Sequence, residues 1–221
     1  MGAEIGYDYD NNDRQQTTDR RIVMLMDSNR KNIDFTRLFP RADVEVRACS
    51  SIPAANKMLQ MGFQQQSPTD IIIHVGTNDL DIMSAEAVSE GLQNLAVNAS
   101  QKYRSARVHI STLLPRKDEV QSRVVKVNRS APAEIRQKVP SARMISHAEI
   151  NQRHLCDDKH LDRYMRDNAR YSGTQLFSIN LFKSVYGEEP AEWIVKSARR
   201  WRSKFIRQDR SERSDRRGNG R

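Results

Sequence analysis

Apolar positions along this chain follow two periods that alternate. Five short runs, residues 21–26, 43–48, 70–75, 106–112 and 141–146, are rich in Val and Ile and bounded by polar residues or proline, and they read as strands. Between them the apolar residues recur at helical spacing. Residues 31–39 place Ile33, Leu38 and Phe39 on a short helix, and 53–63 group Ala54, Met58, Leu59 and Phe63 behind Pro53. Residues 84–103 align Val88, Leu92, Leu95 and Ala99; 118–138 align Val120, Val124, Val127, Ala131 and Ile135, with a break or kink expected at Pro132; 173–186 hold Leu176, Phe177, Ile179, Leu181, Phe182 and Val185. Strands that alternate with helices predict an α/β fold: a parallel sheet covered on both faces, because each crossover between parallel strands needs a helix. Such sheets place their sites at the carboxyl ends of the strands. Ser28, Asn78 and the loop 48–52 all fall there.

Composition changes this picture at the two ends. A chain of 221 residues suits one domain plus tails, and 37% hydrophobic content is low for a chain with a large core. Polar ends account for the difference. Residues 1–20 are polar and acidic without periodicity, and read as a disordered leader. From 196 to 221 there are 11 Lys+Arg against 3 Asp+Glu, so nearly all of the formal net charge of +9 is local to the C-terminus. The expected organisation is a leader at 1–20, a domain at 21–190, and at 191–221 a basic amphipathic helix with an Arg-rich tail. The helix would align Trp193, Ile194, Ala198, Trp201 and Phe205 opposite a basic side. Arg199, Arg200, Arg202, Lys204 and Arg207 are the candidates for phosphate contact, since guanidinium forks match phosphate oxygens. RNA or single-stranded DNA is the expected partner of this segment, with an anionic membrane surface or a merely solvated tail as alternatives.

Other classes are excluded. Two cysteines, Cys49 and Cys156, make no disulfide framework. No apolar run has the ~18 residues of a membrane span, and no secretory signal opens the chain. The expected setting is intracellular, in the cytoplasm or nucleus. No His/Cys/Asp clustering has zinc-like spacing, and neither a metal nor a cofactor is expected. An oligomer is left open, since no heptad segment of coiled-coil length is present.

The chemistry-bearing residues cluster at strand ends. Asp27-Ser28-Asn29 follows the first strand, Gly76-Thr77-Asn78-Asp79 the third, and Asp157-Asp158-Lys159-His160 lies on a late loop. A serine hydroxyl needs a base within reach, and the base needs an orienting carboxylate. His160 is the candidate base and Asp157 its orienter, three residues away. Ser28 also begins the expected 29–39 helix, whose first amides would favour an anion. Asn78 can offer its side-chain amide to an oxyanion, and Gly76 lets the backbone turn beneath it. The bland readings are that Ser28 caps the helix, a role Asp27 or Asn29 could also fill, and that His160 is a surface histidine. Asp79 reads as an acceptor for backbone amides near the Ser28 loop. Arg116 reads as either a substrate contact or a surface ion pair. His74, His109, His147 and His154 read as structural or exposed.

In order and placement these blocks resemble the SGNH (GDSL-type) hydrolase family across roughly 21–187. The phrases Leu38-Phe39-Pro40, Ile73-His74-Val75-Gly76-Thr77-Asn78-Asp79, Leu113-Leu114-Pro115-Arg116-Lys117-Asp118 and Lys159-His160-Leu161 are similar to the esterase domain in first-open-reading-frame proteins of LINE-type (non-LTR) retrotransposons. The resemblance implies a three-layer α/β/α sandwich with a five-stranded parallel sheet. It implies hydrolysis of an ester, short-chain such as acetyl or lipid, without a metal, and an RNA-binding, ribonucleoprotein setting. It implies Ser28, Asp157 and His160 as the triad, and Asn78, Ser28 and Cys49 as oxyanion donors. The chain departs from the family pattern in three places. Met26 stands where the nucleophile block has glycine. The second block, Arg47-Ala48-Cys49-Ser50-Ser51, has no glycine, so Cys49 or Ser50 would have to donate its amide. An insertion, Asp162 to Arg170, follows His160 and could form a flap. The missing glycine and the basic tail together motivate an alternative: a catalytically weak or inactive module of the same fold serving nucleic-acid or membrane-surface binding.

Overall fold

Five strands form one sheet: β1 (Arg20–Met26), β2 (Ala42–Ala48), β3 (Asp70–His74), β4 (Arg107–Ser111) and β5 (Arg143–Ile145). The computed structural model describes residues 20–63, 67–163 and 171–187. All pairings are parallel, in the order β2-β1-β3-β4-β5. The direction of strand order therefore reverses between β1 and β3, and the crevice outside their carboxyl ends is where such a sheet accommodates a ligand.

Side chains of β1 alternate between the two faces. Val23 and Leu25 enter one core, with α2 (Ile52–Met61), α3 (Ala85–Lys102) and α4 (Gln121–Lys138). Ile22, Met24 and Met26 enter the other, with α1 (Phe35–Leu38) and α5 (Gly173–Tyr186). The result is the expected three-layer α/β/α sandwich. Burial on both faces explains why β1 and β3 read as continuous apolar runs rather than alternating ones. Polar caps set the helix starts. Ser51, Ser84 and Ser172 accept from the amides of Ala54, Ala87 and Gln175, and Gln175 reciprocates to Ser172.

Two expected elements differ. The 31–39 helix is instead a 3₁₀ turn, Ser28–Asn32, followed by the single α-turn of α1. Ile33 between them is extended (φ −114°, ψ 128°), which breaks the run. Among the described residues no full helix therefore starts at Ser28. Pro132, by contrast, does not interrupt α4. Val124, Val127, Ala131 and Ile135 stay buried on one face on both sides of the proline, and that packing outweighs the lost backbone bond. The leader, residues 164–170 of the insertion, and the tail from 188 on, with Arg199, Arg200, Arg202, Lys204 and Arg207, lie outside the described residues. Among the described residues no helix is long and apolar enough to cross a membrane, and no group of three or more His, Cys, Asp or Glu could hold a metal ion.

Candidate active site

Strand register places the site. Met26, the last residue of β1, sits opposite Ala48 of β2 and His74 of β3. Two residues beyond these lie Ser28, Ser50 and Gly76. The Ser28 turn is capped by Asp27, whose Oδ1 accepts from the Asn29 amide at 2.9 Å. The cap is thus Asp27 and not the Ser28 of the bland reading, and the Ser28 hydroxyl is left for other use. It lies 2.9 Å from Nε2 of His160, across 132 residues of sequence.

His160 is held by a tight loop. Leu155 and Leu161, both buried, form an antiparallel bridge, and Cys156 N–H donates to the His160 carbonyl at 2.9 Å. Inside this loop Asp157 Oδ1 accepts from the amides of Lys159 (2.9 Å) and His160 (2.7 Å), while Oδ2 meets His160 Nδ1 at 2.7 Å. Burial would raise the Asp157 carboxyl, but those amides and the ring outweigh it and hold it at about 2. The carboxylate fixes the ring proton on Nδ1, so Nε2 is the acceptor for the Ser28 O–H. Two further anchors were not foreseen. Asn29 Oδ1 accepts from Leu161 N–H at 3.0 Å, tying the serine turn to the histidine loop. Lys117 donates from its backbone to Asp158 O (3.0 Å) and from Nζ to Leu155 O (2.9 Å). Neither contact has a local signature in sequence, because both partners are distant in the chain.

The oxyanion side differs from expectation at one residue. Cys49 N–H is occupied: it continues the β1–β2 ladder by donating to Met26 O at 2.8 Å. Its thiol is buried as well, and burial pushes it above the ordinary range. Cys49 therefore cannot be the donor. The Ser50 amide makes no hydrogen bond among the described residues and lies one step further out of the sheet. Asn78 donates one Nδ2–H to Ser50 O at 3.0 Å, which orients the amide and leaves its second N–H unused. As first residue of its turn, Ser28 also has no partner for its N–H within the turn. Ser28, Ser50 and Asn78 together bring three donors to the strand ends.

Gly76 permits this arrangement. Its φ is +114°, and a Cβ there would lie 3.1 Å from Leu113 Cδ2. Gly76→Val should cost about 2–3 kcal/mol from strain and crowding, lowering Tm by roughly 5–10 °C. A thermal melt checks this, and a melt matching the native protein would show the turn is not strained.

The supporting residues sit where backbone needs them. Asp79, buried, accepts the Ile52 amide with both oxygens (3.1 and 3.0 Å), so it serves the β2–α2 loop rather than the Ser28 turn. Arg116 is neither a surface ion pair nor open to a substrate. Its side chain is 5% exposed and binds Asp118, Asp81 (2.9 Å) and the Thr77 carbonyl (3.2 Å). It clamps the loop after β3 to the loop after β4. His74, His109, His147 and His154 are all buried.

No protein-family model and no curated protein matches the sequence. Solved structures do resemble it. A member of the lipolytic protein G-D-S-L family from Veillonella parvula superposes with a TM-score of 0.58 at 16% identity, over 76% of this chain and 99% of that one. A carbohydrate esterase family 3 protein from Talaromyces cellulolyticus gives 0.57 at 14% identity, over 75% and 96%. An acetyl xylan esterase gives 0.60 at 10% identity, over 75% and 99%. The five-stranded parallel sheet with its flanking helices is thus the SGNH-hydrolase type of α/β fold.

Proposed function

We propose that this protein is a serine esterase acting on short-chain, acetyl-type carboxylic esters. The observation that carries the proposal is the continuous contact from Ser28 Oγ to His160 Nε2 (2.9 Å) and from His160 Nδ1 to Asp157 (2.7 Å). On this reading His160 takes the serine proton as Oγ adds to the ester carbonyl, and the amides of Ser28, Ser50 and Asn78 receive the developing oxyanion. His160 then gives the proton to the departing alcohol. It next takes one from water, whose oxygen attacks the acyl-serine, and returns it to Ser28 as the acid leaves. Two of the similar folds are named as esterases, one of them an acetyl xylan esterase, which supports the short acyl group. A fluorophosphonate probe should label Ser28 and nothing else, and p-nitrophenyl acetate should be hydrolysed. A folded protein that does neither would refute the assignment. The alternative, a catalytically weak or inactive module of the same fold serving nucleic-acid or membrane-surface binding, is motivated by the glycine absent from the second block and by the basic tail. The unbonded Ser50 amide weighs against the first of these motives, since donation needs no particular side chain.

We further propose that the Arg-rich segment 196–221 contacts RNA within a retrotransposon-type ribonucleoprotein, on the strength of its sequence, with 11 Lys+Arg against 3 Asp+Glu. Deleting 196–221 should abolish salt-sensitive RNA binding while sparing ester hydrolysis; equal RNA affinity with and without the segment would sink the idea.

A further inference from the structure

Beneath the Ser28 turn lies a chain of buried polar groups that the esterase steps do not use. His74 and His147 both contact Ser111 Oγ, at 2.8 Å through Nδ1 and 2.7 Å through Nε2 respectively, and both rings pack on Phe177. The far side of His147, Nδ1, faces Asn180 Nδ2 at 3.2 Å. The far side of His74, Nε2, makes no hydrogen bond and points at Asp27 Oδ1, 3.8 Å away, with both side chains at most 3% exposed. That same oxygen accepts from Asn29 N at 2.9 Å and Asn29 Nδ2 at 3.3 Å.

Donor and acceptor roles follow in one direction along this chain. An amide nitrogen only donates, so His147 Nδ1 must accept from Asn180. Burial, and then the neighbouring His74 ring, keep His147 neutral by holding its imidazole well below the usual range. Its single proton is then on Nε2 and goes to Ser111 Oγ. The Ser111 hydroxyl is left to donate to His74 Nδ1. Burial, opposed by Asp27, also keeps His74 on the neutral side, so its one proton is on Nε2, facing the carboxylate. The competing arrangement sends the Ser111 proton to Thr112 O, 3.3 Å away, and aims a bare lone pair of His74 at Asp27. Charge repulsion at low dielectric disfavours it.

We propose that His74 is a positioning residue for the nucleophile: its Nε2–H dipole, 3.8 Å from Asp27 Oδ1, electrostatically orients the carboxylate that shapes the Ser28 turn, and His147 imposes the required tautomer through Ser111. Asp27 bonds Asn29, and Asn29 bonds Leu161 beside His160, so this one carboxylate sets both partners of the Ser28–His160 contact. The kinetic part rests on the esterase reading; the tautomer part does not.

Two measurements test it. Long-range ¹H–¹⁵N correlation of the imidazoles in the intact protein should show His74 and His147 both protonated at Nε2. For p-nitrophenyl acetate, His74→Phe should lower kcat roughly 10–100-fold with little change in KM, because a small misplacement of the nucleophile costs rate rather than binding. His74→Gln, whose Nε2 can replace the donor toward Asp27, should recover most of kcat. His74→Asn, which reaches only Ser111, should not. A His74 ring protonated at Nδ1, or Gln and Asn variants of equal kcat, would overturn the relay. Wild-type protein that neither hydrolyses ester nor accepts the fluorophosphonate would overturn the esterase reading instead, and the tautomers would then decide the relay on their own.

Discussion

Ser28→Ala should lower p-nitrophenyl acetate turnover by roughly 10⁵–10⁶-fold, His160→Ala by about as much, and the double variant no further. On the proposed esterase reading, Ser28 and His160 act as one functional unit. The hydroxyl is nucleophilic only while Nε2, 2.9 Å away, removes its proton, and the ring has no other group to serve there. Once either is gone, what remains is binding and the oxyanion donors, which neither substitution touches. Asp157→Asn should cost less, on the order of 10⁴-fold, because the ring is still present but is no longer held with its proton on Nδ1. Steady-state rates of the four variants check this. Single effects that add up in the double variant would show that Ser28 and His160 act independently, and would reject the pair.

Asp70→Asn should be the most destabilising single change at a polar position, at about 3–5 kcal/mol, or a Tm lower by roughly 10 °C. Asp70 opens β3 and is fully buried. It holds the guanidinium of Arg107 at 2.7 Å, the ring of His109 at 2.9 Å and the hydroxyl of Thr69 at 3.0 Å. Burial raises its carboxyl, but the bonds to His109, Arg107 and Thr69 outweigh burial and bring it to about 2. Because the folded value lies below the ordinary 3.8, Asp70 contributes stability that is fully present above that value. The contribution fades as pH falls through about 2. The variant should therefore lose much of its deficit at pH 2 relative to pH 7, as melts at the two pH values would show. Catalysis should be spared. Asp70 is at the amino end of the strand whose carboxyl end carries the site, some five residues and about 16 Å away. A variant as stable as the native protein at pH 7 would mean that this buried cluster contributes nothing net.

The two ends of the sheet differ in how much of them could be read beforehand. Asp157 and His160 are three residues apart, and Gly76 and Asn78 two, so each block is a local pattern. The Asp70–His109–Arg107 cluster, by contrast, spans two strands and left no trace beyond a histidine inside an apolar run. Arg116 shows the same limit. Its position after a strand suggested exposure, yet three partners from two loops enclose it.

What the sequence determined by itself is what near neighbours encode. Apolar periodicity marked the strands and most of the helices. Short motifs marked Ser28 and Asn78 after strands, and Asp157 with His160 on a late loop. Only the tertiary structure decided how the remaining hydrogen bonds are allotted. The register of β2 on β1 spends the Cys49 amide on Met26 and leaves that of Ser50, and the crossing of distant loops pairs Asn29 with Leu161. The physical reason is that a hydrogen bond at a strand end is chosen by whichever group the neighbouring strand or loop brings within about 3 Å. That proximity belongs to the assembled sheet, not to any stretch of the chain.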